Sequence, residues 1–261
     1  MTGALEASGL SMRYGSLPPA LADVSLVVAP GEVLAVIGRS GSGKSSLARL
    51  LVGLPPAGAQ VAGWLRWPSG AAPVTEARRA GLSRQIAWLP QDAHAALHPM
   101  LRLGSQVAET LRATDRAAGP DAVAAALHEV ELDPSIARRY PHQVSGGQAQ
   151  RTALACALAQ RPAVLVADEP TSALDADTGR AVLDTLSSLV RQHGVALVLV
   201  SHDLQAVRRM AARVGVLDRG RWVEEGETCE VLSRPRSDAA AALVEADAAL
   251  RKGMACSAHA A

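Results

Sequence analysis

The sequence lacks most features that mark secreted, metal-binding or membrane-spanning chains. Its three cysteines, Cys156, Cys229 and Cys256, are far apart and show no CxxC spacing, so we expect reduced thiols with neither a disulfide framework nor a zinc site. Every apolar run is broken by charge, proline or glycine before the roughly 18 residues that a spanning helix needs. The first ten residues contain Glu6 and no long apolar stretch, so no export signal is predicted and a cytoplasmic location is expected.

A marked excess of charge of one sign is also missing. The chain has 26 lysines and arginines against 25 aspartates and glutamates, and its formal net charge is +1. Since no basic block is long enough to form a nucleic-acid footprint, nucleic acid is not an expected partner. Histidines such as His94, His98 and His142 lack the paired helical spacing that is typical of metal ligands, and we interpret them as structural.

Short apolar strands alternate with amphipathic helices through much of the chain, a pattern typical of a parallel sheet covered on both faces. The predicted core strands are Val33–Ile37, 164–167, 195–200 and 214–217, and the predicted core helices are 46–52, 177–192 and 204–212. Segments of mixed or alternating character predict a smaller antiparallel sheet from residues 6–14, 24–28, 63–67 and 221–223. Residues 54–80 are predicted as loop on either side of one strand.

An all-helical insertion is predicted between residues 93 and 159, because alanine- and leucine-rich segments with helical spacing replace the strands there. Its predicted helices are 103–112, 121–130 and 148–160. We therefore expect one domain, with an α/β core from residues 1–92 and 160–235 and a helical subdomain at 93–159. The alanine-rich tail at 236–261 is predicted to form a short helix that ends in disorder.

A glycine-rich phosphate loop, GRSGSGKS, lies between the strand Val33–Ile37 and the helix that follows it. Its glycines permit positive φ and bring backbone N–H groups against anionic oxygens, while the helix start adds the positive end of its dipole. Lys44 is expected to reach the β- and γ-phosphates of a nucleoside triphosphate, and the Ser45 hydroxyl to coordinate Mg²⁺. The predicted nucleotide-binding residues here are Gly38, Arg39, Ser40, Gly41, Ser42, Gly43, Lys44, Ser45 and Ser46.

Two acids end a second buried strand, in the sequence AVLVADE at residues 163–169. Because ligands bind outside the carboxyl ends of parallel strands, Asp168 is predicted to hold Mg²⁺ through water and Glu169 to be the general base. His202 follows the next strand and is expected at the same edge, within reach of the γ-phosphate. Taken alone, Glu169 could instead cap the helix that begins near Pro170, and His202 could be a helix cap or a surface residue.

A second phosphate-seeking loop is VSGGQ at residues 144–148, directly before a predicted helix. Ser145 as a cap, with Gly146 and Gly147, supplies a second set of free N–H groups at a helix start. One nucleotide has no need of two such loops from one chain. We therefore expect the second loop to serve another molecule.

These motifs and their order resemble the nucleotide-binding subunits of ABC transporters, over residues 5–231. The resemblance implies a RecA-like P-loop NTPase core with an antiparallel β subdomain and an inserted α-helical subdomain. In that family the SGGQ signature of one subunit closes over ATP on the phosphate loop of the other, which assigns Ser145, Gly146, Gly147 and Gln148 to a partner's ATP. It also implies that Tyr14 stacks on adenine and that Asp175, in SALD, belongs to a loop that crosses the dimer.

The same resemblance assigns chemistry to particular residues. Gln91, in LPQD, is expected to touch Mg²⁺ and to sense a membrane partner. The implied catalytic residues are Glu169, His202, Lys44 and Gln91. The implied metal ligands are Ser45, Gln91 and Asp168. ATP and Mg²⁺ are the expected cofactors.

Two further stretches, YPHQVSGGQ at 140–148 and AALHP at 95–99, are similar to the peptide and nickel branch of ABC importers. The chain departs from that branch because it has no long cysteine-bearing tail and because residues 234–242 lack an HPYT-like segment. The resemblance implies import of peptides, nickel or a metal chelate, by a chain bound peripherally at the cytoplasmic face of the inner membrane.

The partners that the resemblance implies are two transmembrane permease subunits, a second ATP-binding subunit in a homo- or heterodimer, and a solute-binding protein. Three other interpretations remain open. A soluble ABC ATPase would act on ribosomes or DNA, although such chains commonly join two ATPase units or insert long coiled coils, and neither is present here. An exporter subunit would reverse the direction of transport. A metabolic kinase with a phosphate loop is the most distant, because SGGQ would have no purpose in it.

Overall fold

The computed structural model describes the backbone of residues 3–258 and the side chains of residues 3–250. In chain order its strands are β1 (Leu5–Tyr14), β2 (Leu21–Val28), β3 (Val33–Ile37), β4 (Ala59–Trp67), β5 (Gly70–Pro73), β6 (Ile86–Leu89), β7 (Val164–Asp168), β8 (Ala196–Val200), β9 (Arg213–Asp218) and β10 (Arg221–Glu227). Its α-helices are α1 (Lys44–Leu51), α2 (Ala93–Ala96), α3 (Leu103–Ala113), α4 (Pro120–Glu129), α5 (Gly146–Ala159), α6 (Ala176–His193), α7 (Leu204–Met210), α8 (Thr228–Ser233) and α9 (Asp238–Ala258).

A six-stranded sheet with the order β10-β9-β3-β8-β7-β6 forms the centre of the fold. The five strands β9, β3, β8, β7 and β6 are parallel to one another. Alternate residues of β3 face different layers: Leu34 and Val36 pack toward the second sheet, whereas Ala35 and Ile37 pack toward the cluster of α7 to α9. Since both faces are covered, the core strands are apolar without interruption. The predicted α/β core is confirmed.

The second sheet is antiparallel, with the order β2-β1-β4-β5. Three of its predicted segments are confirmed, but the prediction that residues 221–223 join it is wrong. These residues belong to β10, which pairs antiparallel with β9 at the edge of the main sheet. The two strands are joined by Arg219 and Gly220, with φ 45° and φ 76°. A two-residue connection with positive φ at both positions forms a tight hairpin, which keeps β10 beside its predecessor.

Two short strands were not predicted from the sequence. Strand β5 pairs with β4 within the stretch 54–80, which therefore contains a second strand. Strand β6 pairs in parallel with β7 and forms the far edge of the main sheet. Each has only four residues, too few for a period-2 pattern to stand out from the surrounding loop.

The helical insertion is confirmed. Its helices α3, α4 and α5 enclose an apolar cluster that includes Val107, Leu127 and Leu154. Helix α5 begins at a capping box, because Gln148 N donates to Ser145 Oγ at 3.3 Å and Ser145 N donates to Gln148 Oε1 at 3.1 Å. The same helix then packs on β6 and α6, so it joins the insertion to the core.

The chain after residue 236 forms a longer helix than predicted. Helix α9 has 21 residues, and its first turns pack on the body of the protein through Ala240, which is fully buried. That packing stabilises a helix that alanine-rich sequence alone favours only weakly. Any predicted disorder at residues 259–261 lies outside the described residues. Nowhere between residues 3 and 258 does a helix combine the length and the apolar character needed to cross a bilayer.

Candidate functional site

The phosphate loop runs from the end of β3 to the start of α1 and is packed so tightly that side chains are excluded at two positions. A Cβ on Gly38 would lie 2.3 Å from the Leu217 carbonyl oxygen, and one on Gly43 would lie 2.5 Å from that of Ala20. Gly43 also has φ 108°, a conformation that residues with a Cβ rarely adopt. Glycine is therefore required here by both space and backbone conformation.

Lys44 is folded into the middle of this loop. Its Nζ donates to the carbonyl oxygens of Gly38 at 2.8 Å and Arg39 at 3.1 Å, and the residue is only 6% exposed. Burial lowers the pKa of the Lys44 ammonium, while the carboxylates of Glu169 and Asp168 oppose that change. The ammonium is thus held inside the loop by two backbone carbonyl groups.

Ser45 and Asp168 meet although 123 residues separate them in the sequence. Ser45 Oγ donates to Asp168 Oδ1 at 3.3 Å, and Asp168 is 4% exposed. Burial raises the pKa of the Asp168 carboxyl; the Ser45 hydrogen bond and the cations Lys44 and Arg49 oppose that rise. Two oxygen groups predicted to be metal ligands are therefore side by side at the end of β7.

Gln91 joins them around a cavity of about 530 Å³, whose lining includes Ser45, Asp168 and Gln91. Two residues that sequence reasoning missed also line it, Arg49 and Trp88. Arg49 lies four residues after Ser45 on α1, a spacing that places both on one helix face and could have revealed it. Trp88 lies on the unpredicted strand β6, so no sequence signal pointed to it.

Glu169 and His202 lie together at the same edge of the sheet. His202 Nδ1 is 3.3 Å from Glu169 Oε2. Glu169 has φ 47°, a left-handed backbone conformation that is uncommon outside glycine, and its N–H donates to the Val200 carbonyl at 2.9 Å. Both residues line a second cavity, of about 580 Å³, together with Asp175. Asp175 caps α6 by accepting from Thr178 N at 3.0 Å.

The signature loop, residues 145–148, packs against another segment of its own chain. A Cβ on Gly147 would lie 2.4 Å from Thr178 Cγ2, and one on Gly146 would lie 2.9 Å from Leu174 Cδ2, so the two glycines pack against the segment around the start of α6. Among the described residues that line the cavity of Ser45 and Asp168, none comes from residues 145–148. One chain therefore does not bring its two phosphate-seeking loops to one cavity.

Tyr14 is the last residue of β1 and is 38% exposed. The loop after it turns at once, since Leu17 N donates to Tyr14 O at 2.9 Å. It returns at Ala20, whose carbonyl lies against Gly43 of the phosphate loop. Tyr14 is therefore separated from the nucleotide loop by one short turn, and its stacking on adenine stays a prediction.

Among the residues whose side chains are described, cysteines and histidines form no further metal centre. Cys156 and Cys229 are free thiols, and burial raises the pKa of Cys156 to about 11. The side chain of Cys256 lies outside the described residues. Within the described part of the chain, no three histidine, cysteine, aspartate or glutamate side chains come together in a way that could hold a metal ion.

A family model described as ABC transporter matches residues 21–172 of this chain. The chain is 41% identical over 229 residues to the methionine import ATP-binding protein of Caulobacter vibrioides, an alignment that covers 85% of this chain and 66% of that protein. It is 36% identical over 239 residues to a putative peptide import ATP-binding protein of Brucella abortus, covering 88% of this chain and 70% of that protein. The chain thus spans about two thirds of the length of these curated relatives.

The fold has solved neighbours as well. One is the dimeric structure of a post-hydrolysis state of the ATP-binding cassette MJ0796 bound to ADP and Pi, with a TM-score of 0.73 and 28% identity over 86% of this chain and 98% of that chain. The phosphate loop, the paired acids and the signature loop all lie within residues 21–172, which the family model matches. The chain therefore belongs to the ABC transporter family, as an ATP-binding ATPase domain.

Proposed function

We propose that the chain energises import across a membrane as one of two ATP-hydrolysing subunits, each completing the other's site. The observation that carries this proposal is the separation of the two loops. Ser45 and Asp168 share a cavity that residues 145–148 of the same chain do not line, so the signature loop is free to close over the ATP of a facing subunit. The roles proposed below for the site residues follow from this sharing of one ATP between two subunits.

The oxygen ligands available beside Ser45 suit Mg²⁺. The hydroxyl of Ser45, the carboxylate of Asp168 and the side-chain amide of Gln91 line one cavity, and Mg²⁺ prefers such hard oxygen ligands together with phosphate oxygens. When bound, Mg²⁺ would neutralise charge on the β- and γ-phosphates. Burial raises the pKa of the Asp168 carboxyl. A bound Mg²⁺ would stabilise the charged carboxylate and so oppose that rise.

Lys44, Glu169 and His202 have different roles in ATP hydrolysis. Lys44, inside the loop, neutralises phosphate charge, and its burial strengthens that interaction because the local dielectric is low. Glu169 orients and polarises the attacking water as the general base. His202 contacts the Glu169 carboxylate and is placed to position the γ-phosphate, with Gln91.

ATP would stabilise the closed dimer because its γ-phosphate makes contacts across the interface that ADP cannot make. Only such a difference in affinity between two states can shift a conformational equilibrium. On this proposal Ser145, Gly146, Gly147 and Gln148 bind the partner's ATP, Asp175 lies in the crossing loop, and hydrolysis opens the dimer. Tyr14 stacks on adenine beside the phosphate loop.

A groove of about 930 Å³ supports the proposal of permease partners. Its lining combines apolar residues such as Leu97 and Leu101 with charged residues such as Arg78 and Glu109. Trp88 lines both this groove and the cavity of Ser45 and Asp168. A short amphipathic permease segment seated there would contact residues 93–159 as a moving unit, and would place the chain at the cytoplasmic face of the membrane.

The solute is bound and selected by partner chains, namely the two permease subunits and a solute-binding protein. The names of the relatives, a methionine and a peptide import protein, favour an amino acid or a peptide over nickel as the solute class.

Cross-linking between differently labelled chains tests the shared site. One population of the Glu169→Gln, Cys229→Ser protein carries Ser40→Cys and the other carries Ser145→Cys, and the two are mixed with Mg-ATP and oxidant. The expected result is an ATP-dependent disulfide between the populations. Ser188→Cys, at an exposed position on α6, replaces Ser145→Cys as the matched control and should give none. Equal cross-linking with ADP would contradict the proposal.

The import assignment needs its own test. The chain, tagged at its amino end, is purified from membranes of its source organism in detergent. Retention of two polytopic membrane proteins, with ATPase activity stimulated by a solute-binding protein, is the result expected for an importer. Retention of ribosomes instead would favour a soluble ATPase, and stimulation by a transported solute without any binding protein would favour an exporter.

A further inference from the structure

We propose that Tyr140 is a positioning residue for the reaction, because the contacts of its ring fix the orientation in which the signature loop binds the partner's ATP. The inference rests on the proposed function, in which Ser145 acts on the ATP of a facing subunit. It adds to that function a residue outside both phosphate-seeking loops.

The Tyr140 ring contacts two neighbouring side chains, His142 and Arg102. It lies 5.6 Å from the ring of His142, centroid to centroid, with 12° between the planes, and the Arg102 guanidinium carbon lies 5.9 Å from the Tyr140 centroid. Arg102 directly precedes α3, and Leu103 N donates to Arg139 O at 2.9 Å. The start of α3 is therefore tied to the segment around Tyr140 by a backbone bond and a side-chain contact.

Two turns, each closed by a pair of reciprocal hydrogen bonds, connect Tyr140 to Ser145. In the first, Tyr140 N donates to Gln143 Oε1 at 2.9 Å and Gln143 N donates to Tyr140 O at 2.9 Å. The second is the capping box of Ser145 and Gln148 at the start of α5. A single residue, Val144, joins the two closed turns. Because each turn is closed by its own hydrogen bonds, a change in the position of Tyr140 reaches Ser145 through Val144 alone.

The contribution of Tyr140 is distinct from core packing. The residue is half-buried, and it does not belong to the apolar clusters formed by the described residues, whereas Leu103 and Ile136 beside it do. Its removal leaves that cluster closed. Ring stacking and contact with a guanidinium favour particular ring directions, so loss of the ring should loosen the loop without opening the core.

This role for Tyr140 predicts different effects on ATP binding and on ATP-driven dimerisation. ATP binding to a single chain uses the phosphate loop, which Tyr140 does not contact. ATP-driven dimerisation uses the signature loop in trans. A positioning role therefore predicts a defect in the second measurement without one in the first, whereas a general structural role would weaken both.

The experiment uses the Glu169→Gln protein as the parent and adds Tyr140→Ala or, to keep apolar volume without a ring, Tyr140→Leu. ATP affinity is measured with a fluorescent analogue at protein concentrations where the parent is monomeric, and dimerisation by analytical ultracentrifugation with Mg-ATP. We expect the dimer dissociation constant to rise about tenfold in both variants, with monomer ATP affinity unchanged.

Tyr140→Phe keeps the ring and should restore dimerisation, while His128→Ala, at an exposed position on α4, is the matched control. Arg102→Gln removes the guanidinium contact with the Tyr140 ring at an exposed position and should give a smaller loss of the same kind. A parent that stays monomeric in Mg-ATP overturns a homodimer of this chain, and this inference with it. Dimerisation of Tyr140→Ala, Tyr140→Leu and the parent alike, or an equal loss of monomer ATP binding, overturns this inference alone.

Discussion

His202 Nδ1 lies 3.3 Å from Glu169 Oε2, at the carboxyl edge of the central sheet. The contact holds the predicted base on the side of the sheet where the phosphate loop begins α1. It also brings together two residues that follow the ends of adjacent parallel strands, β7 and β8. The first prediction concerns this pair.

Glu169→Gln should abolish turnover while ATP still binds. The amide keeps the shape of the side chain but cannot accept a proton, so we expect hydrolysis to fall by about 10²–10⁴-fold. Steady-state phosphate release and equilibrium ATP binding measure the two properties. Glu245→Gln, at an exposed position on α9, should behave as the unsubstituted protein. Rapid hydrolysis by Glu169→Gln would exclude Glu169 as the base.

Asp168→Asn should stabilise the nucleotide-free protein and abolish Mg-ATP hydrolysis. Burial raises the pKa of the Asp168 carboxyl, so the buried carboxylate costs stability at neutral pH. The substitution removes that cost, and we expect Tm at pH 7 to rise by about 2–4 °C. Calorimetry without nucleotide measures it.

The pH dependence of that gain has a definite sign. Because the folded pKa is raised, the favourable contribution of the protonated carboxyl is complete below the ordinary pKa of 3.8 and is lost as the pH rises through the folded value. The difference in Tm between Asp168→Asn and the parent should therefore shrink as the pH falls. Asp115→Asn, at an exposed left-handed position that asparagine also tolerates, is the control. A gain that grows in acid would refute the burial argument.

Gly43→Ala should be far more damaging than Gly41→Ala. Both glycines have positive φ, 108° and 78°, but only a Cβ on Gly43 meets backbone, 2.5 Å from the Ala20 oxygen, whereas Gly41 faces open space. We expect a loss of about 1–2 kcal/mol for Gly41→Ala and of more than about 3 kcal/mol for Gly43→Ala. Urea unfolding compares them, and equal losses would show that the loop can shift away from Ala20.

Glu224→Ala should loosen the start of α9. The Glu224 carboxylate accepts from Arg236 N at 3.0 Å, Ser237 N at 2.8 Å and Ser237 Oγ at 2.7 Å. Burial opposes the change, but these hydrogen bonds lower the pKa of Glu224. Their stabilisation is present above its ordinary pKa and is lost as the pH falls through the lowered folded value.

Hydrogen exchange along α9 is the measurement for Glu224→Ala. Faster exchange of its first turns is expected, by about tenfold, because a lost charge-assisted cap costs on the order of 1–2 kcal/mol. Glu230→Ala on α8 removes an exposed acid nearby and should leave α9 protected. Unchanged exchange in Glu224→Ala would show that apolar packing at Ala240 is sufficient to hold the helix.

Some elements could be predicted from local pattern because their own residues specify them. Strand β3 is apolar over its length. Helix α6 is capped by Asp175 before its first residue and by Gly194, with φ 64°, after its last. Other elements carry too little local information. Strand β6 is four residues long, and the place of β10 depends on the turn at Arg219 and Gly220.

The same division holds for the site and for the chain as a whole. Three motifs can be recognised from the order of residues alone, because each involves only neighbours a few residues apart. They are the glycine spacing of the phosphate loop, the buried strand that ends in acids, and SGGQ before a helix. These motifs were sufficient to predict a nucleotide-binding α/β protein. Folding alone brought Ser45 to Asp168 across 123 residues, added Arg49 and Trp88 to their cavity, and placed residues 145–148 outside its lining. Such proximities arise when strands are ordered in a sheet and helices pack upon it, and no local pattern contains the sheet order.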